Sequence, residues 1–250
     1  MALNITNPTV LEHNVQENSS PQLLINHRPF EVHLLSNARL TQFPLLCQVL
    51  SVINQAFTSC HVVGTKEYFP PNQPRIRSPQ ELVEDLGPDC FTIVVTQSME
   101  ELTDSQSLDL NRHLILRRVL GTASCRPFIR PRVVMNVEPA PISPWVPKVA
   151  LEKLDDPSVS QWELKLMAVD PSLQRQGLAS KMIDLVIEEI KRRVGGGKRE
   201  VWMVFTTMKE FNEAYYSKRG CVSVSETVIE PGTRNSRDGF TILEMAKRIL

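Results

Sequence analysis

Gly177 and Ala179 stand where an apolar run, Trp162 to Val169, gives way to a helical one that opens near Leu178. The stretch between reads Asp170-Pro171-Ser172-Leu173-Gln174-Arg175-Gln176-Gly177-Leu178-Ala179-Ser180. A helix start leaves backbone N–H groups without partners. Small residues there let an anion reach the backbone, and the helix dipole favours its charge. Arg175 adds a cation at the rim. The chemistry on offer is the cradling of a pyrophosphate. Spacing alone leaves an ordinary strand-to-helix turn, with Gly177 for geometry, equally open. Two other phosphate loops are excluded: the stretch holds no Gly-x-x-x-x-Gly-Lys, and Gly177 has no Gly-x-Gly partner.

A second stretch is Phe211-Asn212-Glu213-Ala214-Tyr215-Tyr216-Ser217-Lys218-Arg219-Gly220-Cys221. Met208, Phe211 and Tyr215 recur at three and four residues, an apolar stripe that predicts a core role for Tyr215. Tyr216 lies about 100° further round the helix and is free to face a cleft.

The scaffold for these residues can be read from periodicity. Strands are predicted over Phe30 to Leu35, Cys90 to Thr96, Leu114 to Ser124, Trp162 to Val169, Val201 to Phe205, Val222 to Ile229 and Phe240 to Ala246. Helices are predicted over Leu45 to Phe57, from the capping box Ser78-Pro79-Gln80-Glu81 to Leu86, over Leu178 to Val194 and over Met208 to Arg219. Gly87, Gly195 and Gly220 supply their stops. Alternating elements of this kind indicate one α/β domain over residues 29–250. Residues 1–28 are polar and patternless, as in a flexible N-terminal arm. Residues 126–160 hold seven of the 18 prolines, the mark of an insertion that is a functional flap or a disordered loop.

Composition narrows the function. Lys+Arg and Asp+Glu are both 28, so the net charge is zero. That argues against coating nucleic acid or an anionic membrane. No apolar stretch approaches the ~18 residues of a membrane span, and Met1 to Ser20 carries no signal-peptide pattern. The cysteines, Cys47, Cys60, Cys90, Cys125 and Cys221, are odd in number and scattered, which suggests neither disulfides nor zinc. The five histidines form no His-x-x-x-His pair. A cytoplasmic, reduced, metal-free protein is expected, with neither nucleic acid nor membrane as partner. Nothing in the sequence sets an oligomeric state.

The run from Gln174 to Ala179 resembles motif A of the GNAT superfamily of N-acetyltransferases, Gln/Arg-x-x-Gly-x-Gly/Ala, with Gln174, Gly177 and Ala179 filling it. The element order is similar too, over residues 30 to 248 and most fully over 161 to 221. The resemblance implies a GNAT-like mixed, partly open β-sheet flanked by helices. It implies acetyl-CoA as co-substrate and no metal. The coenzyme would lie where the strand before the motif splays from the next. By position Met167, Ala168 and Val169 line that strand, with the Met167 N–H on the thioester carbonyl. The N–H groups from Arg175 through Gln176, Gly177, Leu178 and Ala179 to Ser180 would hold the pyrophosphate.

The implied reaction needs a neutral amine, yet a primary ammonium with a pKa near ~10.4 is almost wholly charged at neutral pH. A base must take the proton, directly or through water. Glu163 is the candidate: some family members carry a catalytic Glu at this position, and simple alternation puts it on one face with Met167 and Val169. A solvated carboxylate, or a partner for Lys165, is the other reading. Tyr216 and Gly220 fit the family's Tyr-x-x-x-Gly, which sets a phenol beside the coenzyme sulfur as general acid. Two departures stand out: Cys221 replaces an aromatic residue, and Lys209 occupies the place of a frequent Asn, with Asn212 elsewhere.

The resemblance thus implies acetyl transfer to an amine by direct attack in a ternary complex. The acceptor side falls to the Phe69 to Ser78 loop, the acidic 98–112 connection (Glu100, Glu101, Asp104, Asp109) and the insertion with Trp145. Such segments would enclose the acceptor, so a small-molecule amine is expected over a protein. Two alternatives stay open: another acyl donor or a non-amine acceptor on the same fold, or a non-catalytic acyl-CoA-binding module.

Overall fold

The computed structural model describes residues 22–25, 28–59, 62–63, 66–70, 73–97, 117–128, 153–195, 200–233 and 236–250. Strands β1 (Gln22–Ile25) and β2 (Arg28–Ser36) lead into helices α1 (Asn37–Thr41) and α2 (Leu46–Ser59). A small ribbon, β3 (Val62–Val63) and β4 (Lys66–Glu67), precedes α3 (Pro79–Leu86), β5 (Phe91–Gln97) and β6 (Val119–Phe128). The second half runs β7 (Ser160–Val169), α4 (Leu178–Val194), β8 (Val201–Met208), α5 (Lys209–Ser217), β9 (Val222–Ile229) and β10 (Phe240–Arg248).

Eight strands form one open sheet in the order β1-β2-β5-β6-β7-β8-β10-β9. Its pairs are antiparallel except β7 with β8. A parallel pair needs a crossover, and α4 supplies it. One face packs on α4 through Met182, Ile183, Val186 and Ile190, and on Tyr216 of α5. The other packs on α1 to α3 through Leu40, Val49, Val52, Ile53, Leu82 and Leu86.

Local chemistry sets the helix ends. The Ser78 hydroxyl accepts from the Glu81 N–H at 3.1 Å, and Pro79 opens α3. The return arm of the expected capping box is displaced by one residue: the Glu81 carboxylate accepts from the Arg77 N–H at 2.7 Å. Gly87 ends the helix at φ 77°, in the left-handed range that glycine tolerates.

Among the boundaries that differ from expectation, three stand out. Gln22–Ile25 of the expected arm is an edge strand paired with β2, with Ile25 buried, because this short apolar run finds a strand edge to cover. Residues 1–21 lie outside the described residues. The insertion expected over 126–160 is narrower: Arg126 to Phe128 extend β6, Leu154 is buried and Ser160 starts β7. Residues 129–152, including Trp145, lie outside the described residues, as does 98–116 with its acidic cluster. Helix α5 stops two residues early, at Ser217, before the Gly220 turn at φ 75°.

The feature that shapes the site is an irregularity in β7. Lys165 pairs with Ser124 and Ala168 with Thr122, so Leu166 and Met167 together face the single residue Ala123. This is a β-bulge. Leu166 takes φ 48°, which a non-glycine residue rarely adopts. The extra residue flips the alternation. Trp162 and Leu164 lie in the α4-side core, and so do Met167 and Val169, while Leu166 and Ala168 pack with α2 and α3.

Candidate active site

β7 and β8 are paired in register only from Ser160 with Val201 to Glu163 with Val204. Beyond that point β7 holds to β6 and β8 holds to β10, and the two strands part. The opening between them becomes a cleft of about 840 Å³. Its walls include Leu166 and Ala168, which pack toward α2, and Phe205 and Tyr216, which pack toward α4. The cleft therefore passes through the sheet and is lined from both faces.

Met167, Ala168 and Val169 line the cleft. Met167 falls in the bulge and lies beyond the last β8 pair, so no residue of either neighbouring strand pairs with it in register. Met167 itself lines the opening.

The turn into α4 is built to leave donors exposed. Asp170 is buried, and its carboxylate accepts from the Ser172 N–H (2.9 Å), the Ser172 hydroxyl (2.6 Å) and Arg118 (2.6 Å). Burial pushes its pKa up, but these donors outweigh burial and hold it below the ordinary aspartate value. With Asp170 fixed, Pro171–Leu173 form one turn of 3-10 helix. Arg175 then takes φ 63° and Gly177 φ 89°. A methyl group built at Gly177 meets no atom within 4 Å, so backbone conformation rather than space calls for glycine there. Among the described residues no backbone carbonyl accepts from the N–H groups of residues 175 to 180, while the Lys181 N–H returns to the Gly177 carbonyl at 3.2 Å. Gln174, Arg175 and Gly177 to Ser180 line the cleft. Gln176 does not; its amide donates to the Ser172 carbonyl at 3.1 Å.

Both tyrosines pack on the α4-side core and both line the cleft. Tyr216 is the deeper, 7% exposed, with its ring 4.4 Å from that of Phe205. Burial pushes its phenol well above the ordinary tyrosine range, helped by Tyr215 and Cys221. Tyr215 is only half-buried and its hydroxyl lies 3.5 Å from Ser180 Oγ in the cradle. The guanidinium of Arg219 sits over its ring at 4.8 Å. Tyr215 thus joins the site, and only its position one helical turn after Phe211 hinted at that. Asn212 also lines the cleft, its amide donating to Thr207 Oγ1 at 2.8 Å.

Glu163 is placed otherwise than alternation predicts. It marks the vertex of the opening, but the bulge puts it on the face opposite Met167 and Val169, and it is not among the lining residues. Its carboxylate accepts from Arg126 Nε at 2.8 Å. Arg126 also donates to the Asp85 carbonyl at 3.1 Å, at the end of α3. Lys165, the alternative partner, bonds instead to the Asp85 carboxylate at 2.9 Å. These cations sit where a helix dipole favours them.

The sequence profile of the acetyltransferase (GNAT) family matches residues 89–221, more than half of the chain. Comparison with curated proteins by sequence finds no match. Among solved structures, Arabidopsis thaliana NAA60 in complex with a bisubstrate analogue superposes with a TM-score of 0.50 at 10% identity, over 88% of this chain and 99% of that one. FeeM, an N-acyl amino acid synthase from uncultured soil microbes, gives 0.48 at 11% identity, over 88% and 91%. The ribosomal-protein-S18-alanine N-acetyltransferase from Escherichia coli gives 0.45 at 14% identity, over 88% and 94%. Among the described residues no helix is long and apolar enough to cross a membrane.

Proposed function

The chain belongs to the acetyltransferase (GNAT) family, and we propose that it moves an acetyl group from acetyl-CoA to the amine of a small molecule. The observation that carries this reading is the pairing of an exposed row of backbone donors at the α4 start with an opening through the sheet beside it. The residues fit the coenzyme. The free N–H groups and Arg175 suit its pyrophosphate, and the open space at Gly177 leaves the backbone approachable.

In the proposed reaction the amine nitrogen bonds to the thioester carbon, and the carbon–sulfur bond then breaks. The Met167 N–H donates to the carbonyl oxygen as it gains negative charge. The departing sulfur takes a proton from Tyr216, and the proton that the attacking nitrogen loses as the amide forms passes through water to restore the phenol. Its elevated pKa keeps it protonated throughout the working range. Glu163 is not assigned as base, because Arg126 already holds its carboxylate. The acceptor sheds its proton to water instead. Loss of hydration in an apolar opening disfavours the ammonium and so supports the neutral amine. A cytoplasmic setting suits both this co-substrate and the free thiols of Cys47, Cys90, Cys125 and Cys221.

The test is a thermal shift with acetyl-CoA beside the variant Gly177→Glu, followed by assay of coenzyme thiol release with amines. At ~100 times Kd the ligand adds about 2.7 kcal/mol to stability, a rise of roughly 5–11 °C at ~2–4 °C per kcal/mol. The rise should vanish in the variant. No rise with acetyl-CoA or longer acyl-CoAs would refute the proposal.

A further inference from the structure

The half of the cleft facing α2 has a chemistry that acetyl transfer alone leaves unspecified. Phe57, Phe69, Phe211 and Phe240 wall it, with Ile53 and Ile242 among them. The rings touch in series: Phe57 to Phe69 at 5.1 Å and Phe69 to Phe240 at 5.3 Å between centroids. Tyr68 backs the wall, 5.2 Å from Phe211 and 6.4 Å from Phe240. Two clips hold it in place. Asn54 of α2 donates to the Ile76 carbonyl at 2.8 Å and accepts from the Ile76 N–H at 3.0 Å. The Arg237 N–H donates to the Tyr68 carbonyl at 2.9 Å. Neither clip needs a ligand, so the chamber is preformed.

Among the described residues the charge of the lining is one-sided. Among the described lining residues there is no Asp, Glu or His, and the charged ones are Arg75 and Arg175. Arg175 belongs to the cradle. Arg75 is exposed and directly precedes the clipped Ile76, so it stands on the α2 side. A second ammonium on the acceptor would lose its water in this chamber and face Arg75. Attraction of a cation to the phenylalanine faces is smaller than the loss of its hydration.

We propose that the acceptor is a primary amine on an apolar body about the size of an aromatic ring, with no second positive charge. This rests on the acetyl-transfer reading above. The walls that bury the body also strip water from the nitrogen, which favours its neutral, attacking form. One set of residues therefore both selects and prepares the substrate.

The test measures thiol release by the full chain at saturating acetyl-CoA, with 2-phenylethylamine, spermidine and a lysine-containing peptide. The expected kcat/KM for 2-phenylethylamine exceeds that for spermidine at least 100-fold. Phe57→Ala should lower it at least tenfold, chiefly through KM. Arg75→Glu, on the exposed rim and tolerable to the fold, should raise kcat/KM for spermidine at least tenfold. Spermidine or peptide turning over as well as 2-phenylethylamine would overturn the acceptor assignment and leave acetyl transfer standing. So would a tenfold preference for octanoyl-CoA over acetyl-CoA, which would give the chamber to the acyl chain. Acetyl-CoA binding without thiol release for any amine would overturn acetyl transfer, and this assignment with it.

Discussion

Replacing Glu163 by Gln separates a catalytic carboxylate from one that braces the sheet. Its oxygen lies 2.8 Å from Arg126 Nε, and the two side chains are 20% and 32% exposed. Gln keeps an oxygen in the same place, so the hydrogen bond survives and only its charge assistance goes. A charge-assisted bond contributes about 1.5–3 kcal/mol and a neutral one about 0.5–1.5, so the difference is about 1 kcal/mol. For a chain of this length that lowers Tm by roughly 2–4 °C. Arg126 stays anchored on the Asp85 carbonyl, so no buried cation is stranded. Thiol release between about pH 6 and 9 should keep its profile, with kcat within about threefold of the parent, because the carboxylate touches no cleft surface. Calorimetry and the pH profile together decide. A general base contributes about 10²–10⁴-fold. A loss of that size, with the acidic limb of the profile abolished, would show that Glu163 reaches the amine and that the reasoning from its ion pair is wrong.

Gly177→Ala should cost about 1–2 kcal/mol from backbone conformation alone, a fall of roughly 2–8 °C, since no atom obstructs the methyl; acetyl-CoA affinity should drop at least tenfold by calorimetric titration as the turn relaxes. Asp170→Asn should flatten the acid side of the stability curve. The folded pKa of Asp170 lies below its unfolded value near ~3.9, so its contribution is complete above that pH and fades as pH falls through the folded value; urea melts at pH 3 and pH 6 should differ less in the variant than in the parent. Tyr216→Phe should lower kcat about 10²-fold or more while leaving acetyl-CoA affinity and Tm close to the parent, as its hydroxyl bonds to no described residue; an unchanged kcat would remove Tyr216 from the reaction.

Helix α4 was legible to the residue, Leu178 to Val194, because its apolar spacing is regular and glycine stands at both ends. The turn into α4 was legible because it requires a left-handed backbone conformation, and Gly177 announces it. Tyr215, read as core, packs on the core and also lines the cleft, for a physical reason. An apolar stripe that lines a cavity has the same spacing as one that meets a core, and Phe211 and Tyr215 line the cavity. Glu163 was misplaced because alternation presumes an unbroken pleat. The bulge that breaks it rests on Leu166, a residue type that gives no hint of a positive φ. The aromatic chamber was invisible, since Phe57, Phe69 and Phe240 come from three distant segments and meet only through α2, the 66–70 segment and β10.

Parting β7 from β8 above Glu163 also makes the backbone itself a reporter. On the sides that face each other, amides of Leu164 to Val169 and of Phe205 to Met208 border the opening instead of a neighbouring strand. Those protons should trade with deuterium in water far faster than the ones turned toward β6 and β10. A guest that lies along β7 and takes its place in the ladder would slow them one rung at a time. The pattern of slowed amides would then record where along the opening the guest begins and ends, before any product is formed.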